Sequence, residues 1–204
     1  MIHGLGQNSK DWDTIKNELE TRGISSVAPD LFDLAKGRKL DYPTVYQAFS
    51  ELCESYQDKL NLCGLSLGGL LALNYAIQYP KKINSLVLIG TPFEIPKGLL
   101  KFQNIVFRFM PKAVFQNMGV SKKDFIRLSK SMVDLNFMDS ATALDCPALI
   151  LCGAKDKTNM ESAKRFHEAM KNSKLVIVEA SGHEVNKDNP NELVRVLQDF
   201  WADR

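Results

Sequence analysis

Residues 60–79 read Leu60-Asn61-Leu62-Cys63-Gly64-Leu65-Ser66-Leu67-Gly68-Gly69-Leu70-Leu71-Ala72-Leu73-Asn74-Tyr75-Ala76-Ile77-Gln78-Tyr79, and Pro80 follows. The stretch changes character in its middle. Residues 60–64 are a short apolar run of the kind that fills a buried strand. Residues 70–79 read as a helix that stops at Pro80, where the ring removes a backbone donor. Between them lies Gly64-Leu65-Ser66-Leu67-Gly68. GxSxG is a weak signal by itself; a strand leading in and a helix leading out make it a strong one. In so tight a turn the serine takes strained backbone angles and side chains at the flanking positions would collide, so glycine stands there. The Ser66 hydroxyl is then raised above the sheet. The N–H of Leu67, at the start of the helix, points where an oxyanion would form.

On either side, residues 25–28, 85–90, 148–153 and 175–178 are further short runs rich in Val, Ile and Leu, and they read as buried parallel strands. Amphipathic helices alternate with them. Trp12, Ile15 and Leu19 share one face, with Gly23 placed to close that helix. Val45, Phe49, Leu52 and Tyr56 share another. Leu193, Val196, Leu197, Phe200 and Trp201 follow the i, i+3, i+4, i+7, i+8 pattern, with Pro190 as a first helical residue and Asn189 as its cap. Strand and helix in alternation predict βαβ units, hence an α/β fold with helices on both faces of a mostly parallel sheet.

Residues 92–140 break this rhythm, being far longer than a crossover helix needs. They hold Phe93, Phe102, Phe107, Phe109, Phe115, Phe125 and Phe137, four methionines, and eight Lys or Arg against four Asp or Glu. The segment reads as a small helical cap inserted over one end of the sheet within a single domain, residues 1–204. The alternative is an extra helix pair that packs without meeting a substrate.

At 204 residues the chain suits one domain. Its 45% hydrophobic and 25% charged residues are ordinary globular values, and a net charge of +2 gives no nucleic-acid footprint. No apolar run approaches the ~18 residues of a membrane span. Residues 1–12 lack the basic-then-apolar pattern of a secretion signal. Cys53, Cys63, Cys146 and Cys152 form no CxxC pair and have no histidine at ligand spacing, so reduced, packed thiols and a cytoplasmic location are expected, with no metal and no cofactor.

The chain resembles an α/β-hydrolase over nearly its whole length, through four motifs in that family's order. His3-Gly4-Leu5-Gly6 is similar to the HG motif after the third strand, whose third residue, here Leu5, supplies the second oxyanion N–H. Gly64 to Gly68 matches the nucleophile elbow. Cys152-Gly153-Ala154-Lys155-Asp156 resembles the GxxD that carries the acid, and Ser181-Gly182-His183 the GH that delivers the base. The resemblance implies a triad of Ser66, His183 and Asp156 with Leu5 and Leu67 as the oxyanion hole. His183 would take the serine proton and return it to the leaving group, while Asp156 holds the imidazole in the right tautomer. Glu94 is a rival for the acid, because some members take theirs after the sixth strand. His3 is expected to be structural, His167 exposed, and Asp30 and Trp12 structural.

Two departures from the family pattern stand out. The first two strands are absent, so the implied order is 4-3-5-6-7-8, with only Met1 and Ile2 ahead of His3. Either the sheet frays at that edge or the chain continues upstream. The usual glycine-rich turn after the fourth strand is replaced by residues 31–37. The expected function is a carboxylesterase- or lipase-like serine hydrolase that cleaves an ester of an apolar acyl or ring-bearing small molecule through an acyl-enzyme. Two alternatives stay open. One is a C–C bond hydrolase or lyase on the same triad, with Arg108 or Arg127 binding a carboxylate. The other is a catalytically weak binding or signalling protein of the same fold.

Overall fold

The computed structural model describes residues 1–92, 107 and 110–202. Four strands, β1 (Leu60–Leu65), β2 (Ile83–Ile89), β3 (Ala148–Gly153) and β4 (Ser173–Val178), form a parallel sheet in the order β1-β2-β3-β4. The described helices are α1 (Asp13–Thr21), α2 (Leu31–Leu34), α3 (Tyr42–Glu54), α4 (Leu67–Gln78), α5 (Lys112–Asn117), α6 (Lys122–Ser131), α7 (Met138–Ala141), α8 (Met160–Ala169), α9 (Val185–Asp188) and α10 (Pro190–Ala202).

The central strands are apolar over residues 86–89 and 148–152 because both of their faces are covered there. Alternate residues go to opposite sides: Leu86, Leu88, Ala148, Ile150 and Cys152 join one apolar cluster, and Val87, Ile89, Leu149 and Leu151 the other. The first cluster is closed by α3, α4 and α8 through Val45, Phe49, Leu70, Leu71 and Phe166. The second is closed by α1 and α10 through Ile15, Leu19, Leu193 and Leu197, with the wholly buried Trp12 beside them. The caps are those the sequence foretells. Gly23 takes φ +79° just after α1, and the Ile24 N–H reaches back to the Leu19 carbonyl at 2.9 Å. Asn189 Oδ1 accepts from the Glu192 N–H at 3.3 Å at the head of α10.

Residues 93–106, 108 and 109 of the expected cap, with Glu94 and Arg108 among them, lie outside the described residues. The remainder is sewn into the first cluster. Phe115, Phe125, Leu128 and Met132 are buried there. Phe125 meets Phe115 edge-on at 5.1 Å and Phe107 at 5.0 Å between ring centroids. Ser131 Oγ accepts from the Tyr42 N–H at 2.7 Å, tying the end of α6 to the start of α3.

Three expectations are corrected. Residues 25–28 form no strand. The expected third strand shrinks to a single parallel bridge between Ile2 and Gly64, in which the Ile2 N–H donates to the Cys63 carbonyl at 2.7 Å and the Leu65 N–H to the Ile2 carbonyl at 3.0 Å. Two residues cannot present a ladder, so residues 25–28 have nothing regular to pair with; their link to Met1 is the α-amino group donating to the Val27 carbonyl at 2.5 Å. Tyr56 does not share the buried face of α3, because the helix ends at Glu54 and leaves it 39% exposed.

If the 110–140 region is an integral part of the core, Phe115→Ala should cost about 3–5 kcal/mol of unfolding free energy. Urea denaturation read by far-UV circular dichroism would give the value; a loss below about 1 kcal/mol would mean that this region folds apart from the sheet.

Candidate active site

The elbow sits where β1 turns into α4. Ser66 has φ 53° and ψ −111°, a left-handed conformation that a non-glycine residue holds only when its surroundings impose it. They do so by close approach. A Cβ on Gly64 would lie 2.3 Å from the backbone of Gly68, and one on Gly68 would lie 2.2 Å from the Ile2 carbonyl oxygen. The Ser66 N–H donates to the Ile89 carbonyl at 2.9 Å, extending the β1–β2 ladder through the turn. Leu67 then opens α4, and its N–H is one of the helix's first-turn donors, which have no partner within the helix.

The loop after Ile2 lies against this turn. A Cβ on Gly4 would fall 3.5 Å from Ser66 Cβ, which sets this loop, with Leu5 next in the chain, against the elbow. His3 anchors the loop from below. It is fully buried, its Nε2 accepts from the Leu31 N–H at 3.0 Å, and its Nδ1 therefore carries the proton and donates to the Gly4 carbonyl at 3.0 Å. Burial pushes its pKa down, which suits a neutral structural ring.

The acid and base come from the turns after β3 and β4. His183 Nδ1 lies 2.7 Å from Asp156 Oδ2. With Nδ1 donating to the carboxylate, Nε2 is left as the acceptor. Burial pushes the Asp156 carboxyl up, but hydrogen bonds from His183 and Asn159, together with the His183 charge, outweigh it and hold the group below its usual range. Gly90, at φ +51° just beyond β2, floors the pair: a Cβ there would lie 3.0 Å from His183 Nδ1 and 3.3 Å from Asp156 Oδ2. Because Ser66 bonds to Ile89, the serine is one residue along the ladder from the glycine on which the imidazole rests. Ser66, Asp156 and His183 thus share one edge of the sheet, at the ends of strands that pair in register Leu65↔Ile89↔Leu151.

Asn159 is a residue that the sequence did not single out. It is buried, and its Nδ2 donates to Asp156 Oδ1 at 3.0 Å and Oδ2 at 2.9 Å, while its N–H reaches Oδ1 at 3.3 Å. An Asn three residues after a carboxylate was the available signal, since that spacing lets the side chain of the first residue accept from the backbone of the second. The other expectations fall as follows. Asp30 caps α2, accepting from the Phe32 N–H at 3.0 Å and the Asp33 N–H at 3.2 Å. His167 is exposed on α8, 2.9 Å from Ser173 Oγ. Arg127 is engaged with Asp124 at 2.7 Å, one turn away on α6.

Known proteins agree with this architecture. The sequence profile described as alpha/beta hydrolase fold matches residues 1–135. Lipase 3 of Moraxella sp. is 26% identical over 94% of this chain and 74% of its own length. A 2-hydroxy-6-oxo-2,4-heptadienoate hydrolase of Pseudomonas putida is 24% identical over 99% of this chain and 88% of its own. A carboxylesterase structure from Nitrososphaera gargenis superposes with a TM-score of 0.85 at 19% identity, covering 99% of this chain and 88% of that one, which speaks for the fold.

A carboxyl held below its unfolded value stabilises the protein fully above the unfolded pKa of about 4, and that stability is lost as pH falls through the lower folded value. Asn159→Leu removes the carboxamide that donates to both oxygens of this carboxylate. The stability deficit of this variant should therefore be largest near neutral pH and shrink as pH drops below about 4, as read by denaturant midpoints across pH. A deficit independent of pH would mean that Asn159 only packs.

Proposed function

The chain belongs to the alpha/beta hydrolase fold family, and from that premise we propose that it is a serine hydrolase cleaving carboxylic esters of apolar acyl groups. The observation that carries the reading is the His183–Asp156 pair at 2.7 Å at the same sheet edge as a serine strained into a left-handed turn. An unassisted serine hydroxyl is a poor nucleophile; a base oriented by a buried carboxylate removes its proton as it attacks.

In this reading Ser66 Oγ adds to the ester carbonyl while its proton passes to His183 Nε2. The carbonyl oxygen becomes an oxyanion, met by the N–H groups of Leu5 and Leu67. Collapse expels the alkoxide, which leaves as the alcohol with the proton from His183, and an acyl-Ser66 ester remains. Water then repeats the sequence: His183 takes its proton, hydroxide adds to the acyl carbon, and the acid departs as Ser66 regains its proton. Asp156 stays ionised throughout and stabilises the imidazolium.

In this reading the described residues 110–140 contribute to a cap over the site. Met118 supports that role, since its Cε lies 3.9 Å from where a Cβ would stand on Gly6, beside Leu5. The buried Phe115 and Phe125 behind it make the neighbourhood apolar, which suits an apolar acyl chain or ring. The free state of all four cysteines suits a reducing, cytoplasmic setting.

A second reading is C–C bond hydrolysis on the same three residues, favoured by the near-complete length match to the Pseudomonas putida hydrolase. It would need a cation for the substrate's carboxylate, and the engagement of Arg127 by Asp124 weighs against that residue. Turnover of a vinylogous keto acid without turnover of p-nitrophenyl esters would favour it.

Fluorophosphonate labelling tests the main reading. The folded wild-type protein should take up one adduct, mapped by mass spectrometry to Ser66, and Ser66→Ala should take up none. Labelling that persists in Ser66→Ala, or is absent from the wild type, would overturn it. Asp156→Asn should label and turn over slower by about 10⁴-fold.

A further inference from the structure

The oxyanion loop and the base loop are joined by a buried polar clamp. Gln7 and Asn186 lie 179 residues apart in sequence and are 1% and 2% exposed. The Gln7 carboxamide is used at both ends. Its Oε1 accepts from the Gly4 N–H at 3.4 Å and from Asn186 Nδ2 at 3.4 Å. Its Nε2 donates to Glu184 Oε1 at 2.9 Å and Asn186 Oδ1 at 3.1 Å. Asn186 Nδ2 also donates to the Asp11 carbonyl at 3.0 Å. One end of the clamp is therefore Gly4, which packs on Ser66 and precedes Leu5. The other is Glu184, the residue after His183, and Asn186 in α9.

Only a side chain that accepts on one side and donates on the other fits this place. A carboxylate would face Glu184 with like charge. An apolar chain would leave the Gly4 N–H and the Asn186 amide without those partners in a buried site. The two loops so joined carry the two groups whose spacing the chemistry depends on: a backbone donor for the oxyanion and the imidazole that shuttles the proton.

We propose that Gln7 is a positioning residue that locks the oxyanion loop to the base loop and so holds the Leu5 N–H and His183 in register. The inference rests on the hydrolase reading above, and it predicts a specific signature. Gln7→Met should lower kcat on a p-nitrophenyl ester by about 10- to 100-fold with KM kept within about twofold, because the defect is in transition-state geometry rather than in substrate binding. Gln7→Glu should be similarly slow. Combining Gln7→Glu with Glu184→Gln restores the acceptor opposite Gly4 and a donor from residue 184 but leaves Asn186 Oδ1 without the donor it has in Gln7, so it should recover kcat in part, by about threefold or more over Gln7→Glu alone.

The experiment measures kcat and KM for wild type and these variants, with amide hydrogen exchange read over residues 4–7 and 182–186. Loss of kcat, rescue by the paired exchange, and faster exchange in both loops support the clamp. A Gln7→Met variant that melts at lower temperature but keeps kcat would overturn it, leaving Gln7 a packing residue. So would a paired exchange no better than Gln7→Glu alone. If the wild type turns over no ester, the hydrolase reading fails and exchange alone decides. Loosening of both loops in Gln7→Met upholds the clamp, and loosening confined to residues 4–7 overturns it.

Discussion

The structure depends on a backbone contact that a methyl group would abolish. Gly64 touches Gly68 across the elbow, and Gly68 touches the Ile2 carbonyl, each at a distance that leaves no room for a Cβ. That contact lets α4 begin directly over the end of β1, forces Ser66 into its left-handed conformation and brings Ile2 into the sheet edge. The loop carrying His3, Gly4 and Leu5 then has its place beside the serine. The strain at Ser66 is offset by the packing of α4, whose residues Leu67, Leu70, Leu71 and Tyr75 are wholly buried.

The parallel sheet does the second part of the assembly. Parallel strands in register end at one edge, so the turns after β1, β2 and β3 emerge side by side. Gly90, having no side chain, lets the imidazole lie against the end of β2. The turns after β3 and β4 meet so closely that a Cβ on Gly153 would fall 2.0 Å from the Gly182 carbonyl oxygen, which delivers His183 to Asp156. Ala180, at φ 61°, is the other non-glycine residue described with a left-handed backbone, and it stands just before this turn. Strain gathers where function is proposed.

Buried polar groups supply the rigidity. His3, Gln7, Asp156, Asn159 and Asn186 are all buried, and each is hydrogen-bonded to a neighbouring loop residue. A satisfied buried network permits few alternative arrangements, since any shift strands a donor or an acceptor. The apolar clusters above and below the sheet bring the loops to the same edge, and these amides set their distances.

Much of this was legible in the sequence. The apolar runs at 60–64, 85–90 and 148–153 announced buried strands because period and length alone distinguish them. Gly64 and Gly68 around Ser66 announced the turn because local sterics demand glycine there. Asp156 and His183 stood out through short motifs that resemble the family's, and the structure brings the two within 2.7 Å of each other. Residues 25–28 misled, because a β-rich run becomes a strand only if a neighbour offers a ladder, and Ile2 makes a single bridge, to Gly64 on its other side. Asn159, Gln7 and Asn186 carried little signal, because a carboxamide in a loop looks the same whether it faces water or closes a buried gap. The turn glycines and the candidate side chains could be read from the residues alone, since side-chain type and backbone sterics act within a few positions. Which of them meet could not, because the contacts between residue 7 and residue 186, or 156 and 183, are made by long-range packing.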